Sequence, residues 1–270
     1  MSLWICRQEA VKTPYYMDVL GIHLFSSQEL CYVIYNYPLL VLDDFVDDNL
    51  LDFLRNELNL GFLALKIERW LKSSENPDDV LVMILQECDY YTTPEISGFR
   101  QHLQAFRKLP HAEFKKKKAD SLFAISQFGK ARRLYYELLG ETDVNPGSGL
   151  PAGQLWHNIG TCYARMFYMQ KAFQAYQKAF FAARDNRMLE KLYYLTLLDE
   201  KLTMDEREAS LITPEQKTAW DQKAEQTRGN AGQSKTMREL EDLFGRDPIK
   251  RQAGMNRLIT RWKKEYRSMV

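Results

Sequence analysis

Residues 156–163 read Trp156-His157-Asn158-Ile159-Gly160-Thr161-Cys162-Tyr163, and Ala172, Tyr176 and Ala179 follow downstream. Their spacings place the apolar and small residues on one face of each of two helices. Gly160 and Ala172 leave room where two antiparallel helices cross closely. Tyr163, Tyr176 and Ala179 fill the space between successive helix pairs. The stretch therefore predicts a tightly crossed helical hairpin that must pack against similar neighbours.

A weaker copy lies 41 residues earlier: Ala119 and Leu122 stand where Gly160 and Tyr163 stand. Phe128, Ala131, Tyr135 and Leu138 likewise stand where Met169, Ala172, Tyr176 and Ala179 stand. The order Trp, apolar-Gly, Tyr, then Ala, aromatic, Ala resembles the tetratricopeptide repeat, whose usual period is about 34 residues. The excess falls between Gly140 and Gly153, a Gly/Pro/Asn-rich stretch read as a loop. After Asp185, the positions of Leu189, Leu192, Tyr193 and Leu197 predict a further helix, which resembles the start of a third repeat and is read as a cap. The resemblance spans about residues 112–200 and implies an all-α solenoid whose first helices line a concave side that binds a protein or peptide.

Aligned on the repeat, that side takes Lys116, Lys117 and Asp120 from the earlier copy, with Glu113 beside them. The later copy supplies Gln154, His157, Asn158, Thr161 and Arg165, and the cap supplies Lys191. Phe123 is the candidate aromatic anchor. Lys116 and Asn158 coincide with two positions at which relatives of this kind clamp a C-terminal carboxylate. Asp120 stands where such a clamp carries Asn, and no further Lys/Arg pair completes it.

N-terminal to the repeats, Leu50, Leu51, Leu54 and Leu58 recur at helical spacing, capped by Asp47 or Asp48 and expected to end near Gly61. Further helices are expected over Phe62–Leu71, from Val80 to Tyr91, and over Ile96–Leu109, with Thr92 to Pro94 closing the second of these. Strand candidates at Leu30–Tyr35 and Leu39–Leu42 are weak, and the first fits equally a helix capped by Ser26 or Ser27. The organisation reads as an acidic helical region over 1–110, repeats over 111–202 and a helical extension over 203–270.

In that extension, the polar stretch from Gln222 to Lys235 reads as a flexible link. Met237, Leu240, Leu243 and Phe244 predict a short amphipathic helix, and Met255–Met269 a final one. The final helix carries Leu258, Ile259, Trp262, Tyr266 and Met269 on one side, with Arg257, Arg261, Lys263, Lys264 and Arg267 on the other. Its apolar stripe fits a terminal cap, a helix for a partner's groove, or contact with an anionic surface.

The chain has 270 residues, 45% hydrophobic and 27% charged, with a net charge of +1, which excludes wholesale disorder. That near-neutrality hides a net −9 over residues 1–100 and +10 over the remainder. Acidic residues concentrate in Asp43, Asp44, Asp47, Asp48 and Asp52, basic ones in Lys115–Lys118 and after Arg246. The two ends either steer an anionic partner or answer each other internally.

No secretory leader or membrane span is read. Cys6, Cys31, Cys88 and Cys162 lie far apart, which favours isolated thiols in a reducing cytoplasm over two disulfides. His23, His102, His111 and His157 lack metal-ligand spacing, and no Walker, GxSxG or HExxH signature is present. Gly147-Ser148-Gly149 lacks the strand and helix of a phosphate cradle. Paired carboxylates in the Asp43–Asp48 run read as an acidic loop and helix cap. The expectation is a non-catalytic cytoplasmic scaffold without cofactor or metal. The alternative is a nucleic-acid- or other anion-binding regulator using Lys115–Lys118 and the C-terminal helix.

Overall fold

A computed structural model describes residues 11–43, 45–73, 76–144, 150–245 and 247–270. Fifteen helices and one two-stranded hairpin make up their regular structure, so the chain is all-α in class. It divides into two compact units, Met1–Ile125 and Ser126–Val270. The Gly147–Gly149 motif, the N-terminal ten residues, Asp44 and Arg246 lie outside the described residues.

The first unit opens on an antiparallel hairpin, β1 (Tyr15–Met17) and β2 (Ile22–Leu24), pairing Tyr15 with Leu24 and Met17 with Ile22. Gly21 closes its turn in the left-handed region, at φ 67°, and donates its N–H to the Met17 carbonyl at 2.8 Å. The hairpin has no counterpart in the sequence reading, because three-residue strands are too short to display alternation. Both weak strand candidates are helical instead. Ser26 caps α1 (Ser27–Asn36) by accepting the Glu29 N–H, and Leu39–Val41 belong to α2 (Pro38–Val41).

Asp47 caps α3 (Asp48–Asp52), accepting the Leu50 N–H at 2.8 Å, and the helix continues as a π-helical turn over Phe53–Glu57. Leu50, Leu51, Leu54 and Leu58 are all buried as their spacing predicts. The stop, however, is at Asn59, which takes the left-handed φ of 57°, while Gly61 begins α4 (Gly61–Leu71).

Residues 80–85 of α5 (Asp79–Glu87) are buried without a break. A helix apolar all round occupies a core, and each fully buried aliphatic contributes about 1.5–3 kcal/mol. Thr92 to Pro94, expected to close that helix, open α6 (Thr93–Arg107) instead. Thr92 and Glu95 form a reciprocal capping box, and Pro94 sits in the first turn, where its missing N–H costs nothing. The unit ends with α7 (His111–Ala124).

Acidic and basic runs meet inside this unit. Arg107 donates from Nε and Nη2 to the buried Asp78 carboxylate at 2.8 and 2.7 Å, and also reaches Asp43 at 3.2 Å. Lys118 pairs with Asp43 at 2.9 Å. Burial opposes ionisation of Asp43, yet the Lys118 ammonium and the Arg107 guanidinium hold its carboxyl below the usual range. Part of the charge asymmetry is therefore satisfied internally.

The second unit begins with α8 (Phe128–Val144), α9 (Ala152–Arg165), α10 (Met169–Ala183) and α11 (Arg187–Leu198). The expected Gly140–Gly153 loop is shorter at both ends: α8 runs through Gly140 to Val144, and Gly153 is inside α9. Gly160 is a close-approach point, since a Cβ there would lie 2.8 Å from two ring atoms of Tyr176, which places that ring inside the hairpin rather than between successive helix pairs; Gly153 is another, against Ala183. Helices α7 and α9 are both 14 residues long, both follow a proline, and start 41 residues apart. Ser126 and Phe167, equally spaced, both turn the chain with a left-handed φ, 65° and 62°.

After α12 (Glu206–Ser210) comes α13 (Pro214–Gly232), which replaces the expected flexible link with a continuous helix. Thr213 and Gln216 form its capping box, Pro214 starts it, and Ala, Glu, Gln and Lys dominate its interior. Trp220 packs on Tyr193 of α11 at 5.6 Å between ring centres, and Lys223 pairs with Glu190 at 2.7 Å. Helix α14 (Lys235–Phe244) packs with α15 (Pro248–Met269), burying Leu243 and Leu258. The final helix starts seven residues before the expected Met255, capped by Asp247.

Candidate binding surface

Helix α9 is two-sided. Leu155, Ile159, Gly160, Cys162 and Tyr163 are buried on one side. The opposite side carries Gln154, His157, Asn158, Thr161 and Arg165, half-buried or exposed. Thr161 anchors this strip: its hydroxyl donates to the His157 carbonyl at 2.9 Å and shares a hydrogen bond with the Tyr176 hydroxyl at 3.1 Å. His157 Nδ1 lies 3.3 Å from Asn158 Oδ1, and its ring centre lies 5.8 Å from that of Tyr176.

Helix α11 supplies the electrostatics. Partial burial lowers the His157 pKa, and the charges of Lys191 and Arg187 lower it further, against the opposing pull of Asn158 and Asp185. The imidazole is therefore neutral near pH 7, with one nitrogen able to donate and the other to accept. Arg187 is engaged by Asp185 at 2.6 Å. Lys191 and Arg165 are exposed and make no ion pair among the described residues. The strip thus offers amide and neutral imidazole groups, positioned by the Thr161 hydroxyl, with cations beside them that make no ion pair among the described residues. Such groups match an extended peptide backbone carrying carboxylates.

The residues read from the earlier copy belong to the first unit. Lys116 is tied to Asp120 at 2.8 Å, one helical turn apart. Lys117 is exposed, and Phe123, the candidate anchor, is half-buried. In the tail, Arg257, Arg261, Lys263, Lys264 and Arg267 are all exposed. Arg261 pairs with Glu239 at 2.8 Å, and the Tyr266 hydroxyl donates to the Met166 carbonyl at 3.4 Å. The stripe beside those charges is thus partly used within the second unit, Leu258 against Leu243 and Tyr266 against the α9–α10 turn.

Sequence reading missed a second group in the same unit. Arg132, Lys171 and Lys178 lie over the rings of Tyr136, Tyr163, Tyr168 and Trp156. Seven-residue intervals between Lys171 and Lys178, and between Trp156 and Tyr163, are its only signal in the sequence. Cys162 lies beneath, its thiol pushed up to about 12 by burial, which keeps it protonated and a poor nucleophile.

Among the described residues, no three His, Cys, Asp or Glu side chains gather as a metal site, and no helix is long and apolar enough to cross a membrane. Comparison with protein-family models, with curated proteins and with solved structures returned no match.

Proposed function

We propose that the chain is a non-catalytic scaffold that binds an extended peptide segment of a partner protein through the α9 strip and Lys191. The observation that carries this reading is the pairing of a neutral, preorganised hydrogen-bonding row (His157, Asn158, Thr161) with two exposed cations, Arg165 and Lys191, that make no ion pair among the described residues. Tetratricopeptide-like repeats supply the frame in this reading. It is supported by the shared offset of α7 and α9, by the left-handed turns at Ser126 and Phe167, and by the fit of Gly160 against Tyr176. A cytoplasmic setting follows from the same reading.

The test is selection of random decapeptides on the full chain, then fluorescence anisotropy with the best binder. Asn158→Ala/Lys191→Glu is expected to weaken it at least tenfold. Unchanged affinity in that variant, or no selectable peptide, refutes the reading. The nucleic-acid alternative loses part of its basis, because Lys116 and Lys118 are engaged by Asp120 and Asp43. It rests on exposed Lys117 and the exposed cations of α15.

A further inference from the structure

The cation–aromatic row of the second unit joins three helices. Arg132 of α8 lies over the rings of Tyr136 and Tyr163, at 5.9 and 5.1 Å from their centres. Lys171 of α10 lies over Tyr163 and Tyr168, at 5.8 and 5.4 Å. Lys178, two turns further along α10, sits 4.2 Å from the centre of the Trp156 ring. Each cation is positioned by a ring quadrupole, which attracts it without neutralising it.

No carboxylate answers these three charges among the described residues. Arg132 makes one hydrogen bond, from Nη1 to the Tyr163 hydroxyl at 3.2 Å, while its Nε is buried with no partner at all. Elsewhere in this chain Arg55, Arg107, Arg187, Lys223 and Arg261 each find an acid. Three oriented cations in one row, with no ion pair among the described residues, make a surface of exposed positive charge.

We infer that this row is a second docking surface, and that its occupant is an acidic peptide segment, a run of Asp and Glu in a partner protein. Lys171 and Lys178 are exposed and about 10 Å apart along the helix axis, a distance that a short acidic run spans with several carboxylates. Single-stranded nucleic acid needs free ring faces for its bases to stack on. Here a cation lies over one face of each of Trp156, Tyr136, Tyr163 and Tyr168, and Tyr163 is buried, so bases stacking on the row would have to displace or avoid its cations. What the row presents outward is charge. This surface is independent of the α9 strip, which uses the opposite side of that helix.

The probe is a fluorescein-labelled decaglutamate, titrated with the full chain by anisotropy at low salt, beside decaglutamine and a ten-nucleotide oligothymidylate. Decaglutamate is expected to bind saturably, decaglutamine not at all, and oligothymidylate more weakly than decaglutamate. Lys171→Glu/Lys178→Glu changes exposed side chains only and is expected to cost at least tenfold. Lys171→Gln/Lys178→Gln should cost less, and Lys263→Glu/Lys264→Glu in the tail less than twofold. Indole fluorescence should shift on saturation and lose that shift in Trp156→Phe. Absence of decaglutamate binding, equal loss in the tail variant, or tighter binding of oligothymidylate overturns the proposal. Because Asn158→Ala/Lys191→Glu leaves the row intact, failure here and failure of the α9 strip are separately visible.

Discussion

Replacing Gly160 with Ala tests the helix crossing on which the second unit depends. In an exposed helix interior, Gly→Ala stabilises by about 1 kcal/mol, because it reduces the freedom of the unfolded chain. At position 160 the new Cβ would stand 2.8 Å from Cδ1 and Cε1 of Tyr176 and 3.2 Å from Cγ. Ordinary carbon contact needs about 3.5–4.0 Å. The ring cannot retreat cheaply, since it is 4% exposed and its hydroxyl is held by Thr161. Overpacking of this kind costs about 1–3 kcal/mol, and losing the hydroxyl contact about 1 kcal/mol more. The net expectation is a loss of about 1–3 kcal/mol. Gly140→Ala is the internal control: it lies in α8 of the same unit with nothing within 4 Å of its added Cβ, and should gain about 1 kcal/mol. Urea denaturation followed by far-ultraviolet circular dichroism reads both variants. Equal stabilisation by the two substitutions would refute the close crossing.

Arg107→Ala strands the buried Asp78 carboxylate and loosens Asp43, and should cost about 2–4 kcal/mol, below the upper range for buried pairs because the guanidinium is partly solvated; calorimetry checks it, and a loss under 0.5 kcal/mol would contradict the network. His157 is depressed in the native chain, so the unfolded chain takes up its proton first. Stability is therefore fully present above about pH 6.5 and falls as pH drops through the lower native pKa. His157→Gln should flatten the change in urea midpoint between pH 7.5 and 5.5, and an unchanged pH response would sink this assignment. Trp220→Ala removes the ring contact that holds α13 to α11, so trypsin should cut at Lys217 and Lys223 several-fold faster; unaltered cleavage would show that the contact does not hold the helix.

Local rules made much of this chain legible. The Ser26–Glu29 and Asp47–Leu50 caps and the Leu50–Leu58 stripe each need only a few neighbouring residues to state their role; Gly160 was legible as a small residue at a crossing, but its neighbour Tyr176, expected between successive helix pairs, was not. Other boundaries turned on competition between such rules. Asn59 took the left-handed stop expected of Gly61, and Thr92 with Glu95 made Pro94 a first-turn residue. The Gln222–Lys235 stretch is polar like a linker, yet Ala, Glu, Gln and Lys are also good helix formers, and the cap at Thr213 starts a helix that runs through Gly229 and ends only at Gly232. Helical period alone places His157, Asn158 and Thr161 on one side of α9. The row of Arg132, Lys171 and Lys178 escaped because each cation meets a ring on a different helix. The burial of Asp78 escaped because its partner is 29 residues away.

The most direct test of the binding account is hydrogen–deuterium exchange of the full chain with and without a selected decapeptide. Slowed exchange concentrated in α9 and α11, over Ala152–Arg165 and Arg187–Leu198, is the predicted result. Protection confined to other helices, with these two unchanged at saturating peptide, would contradict it.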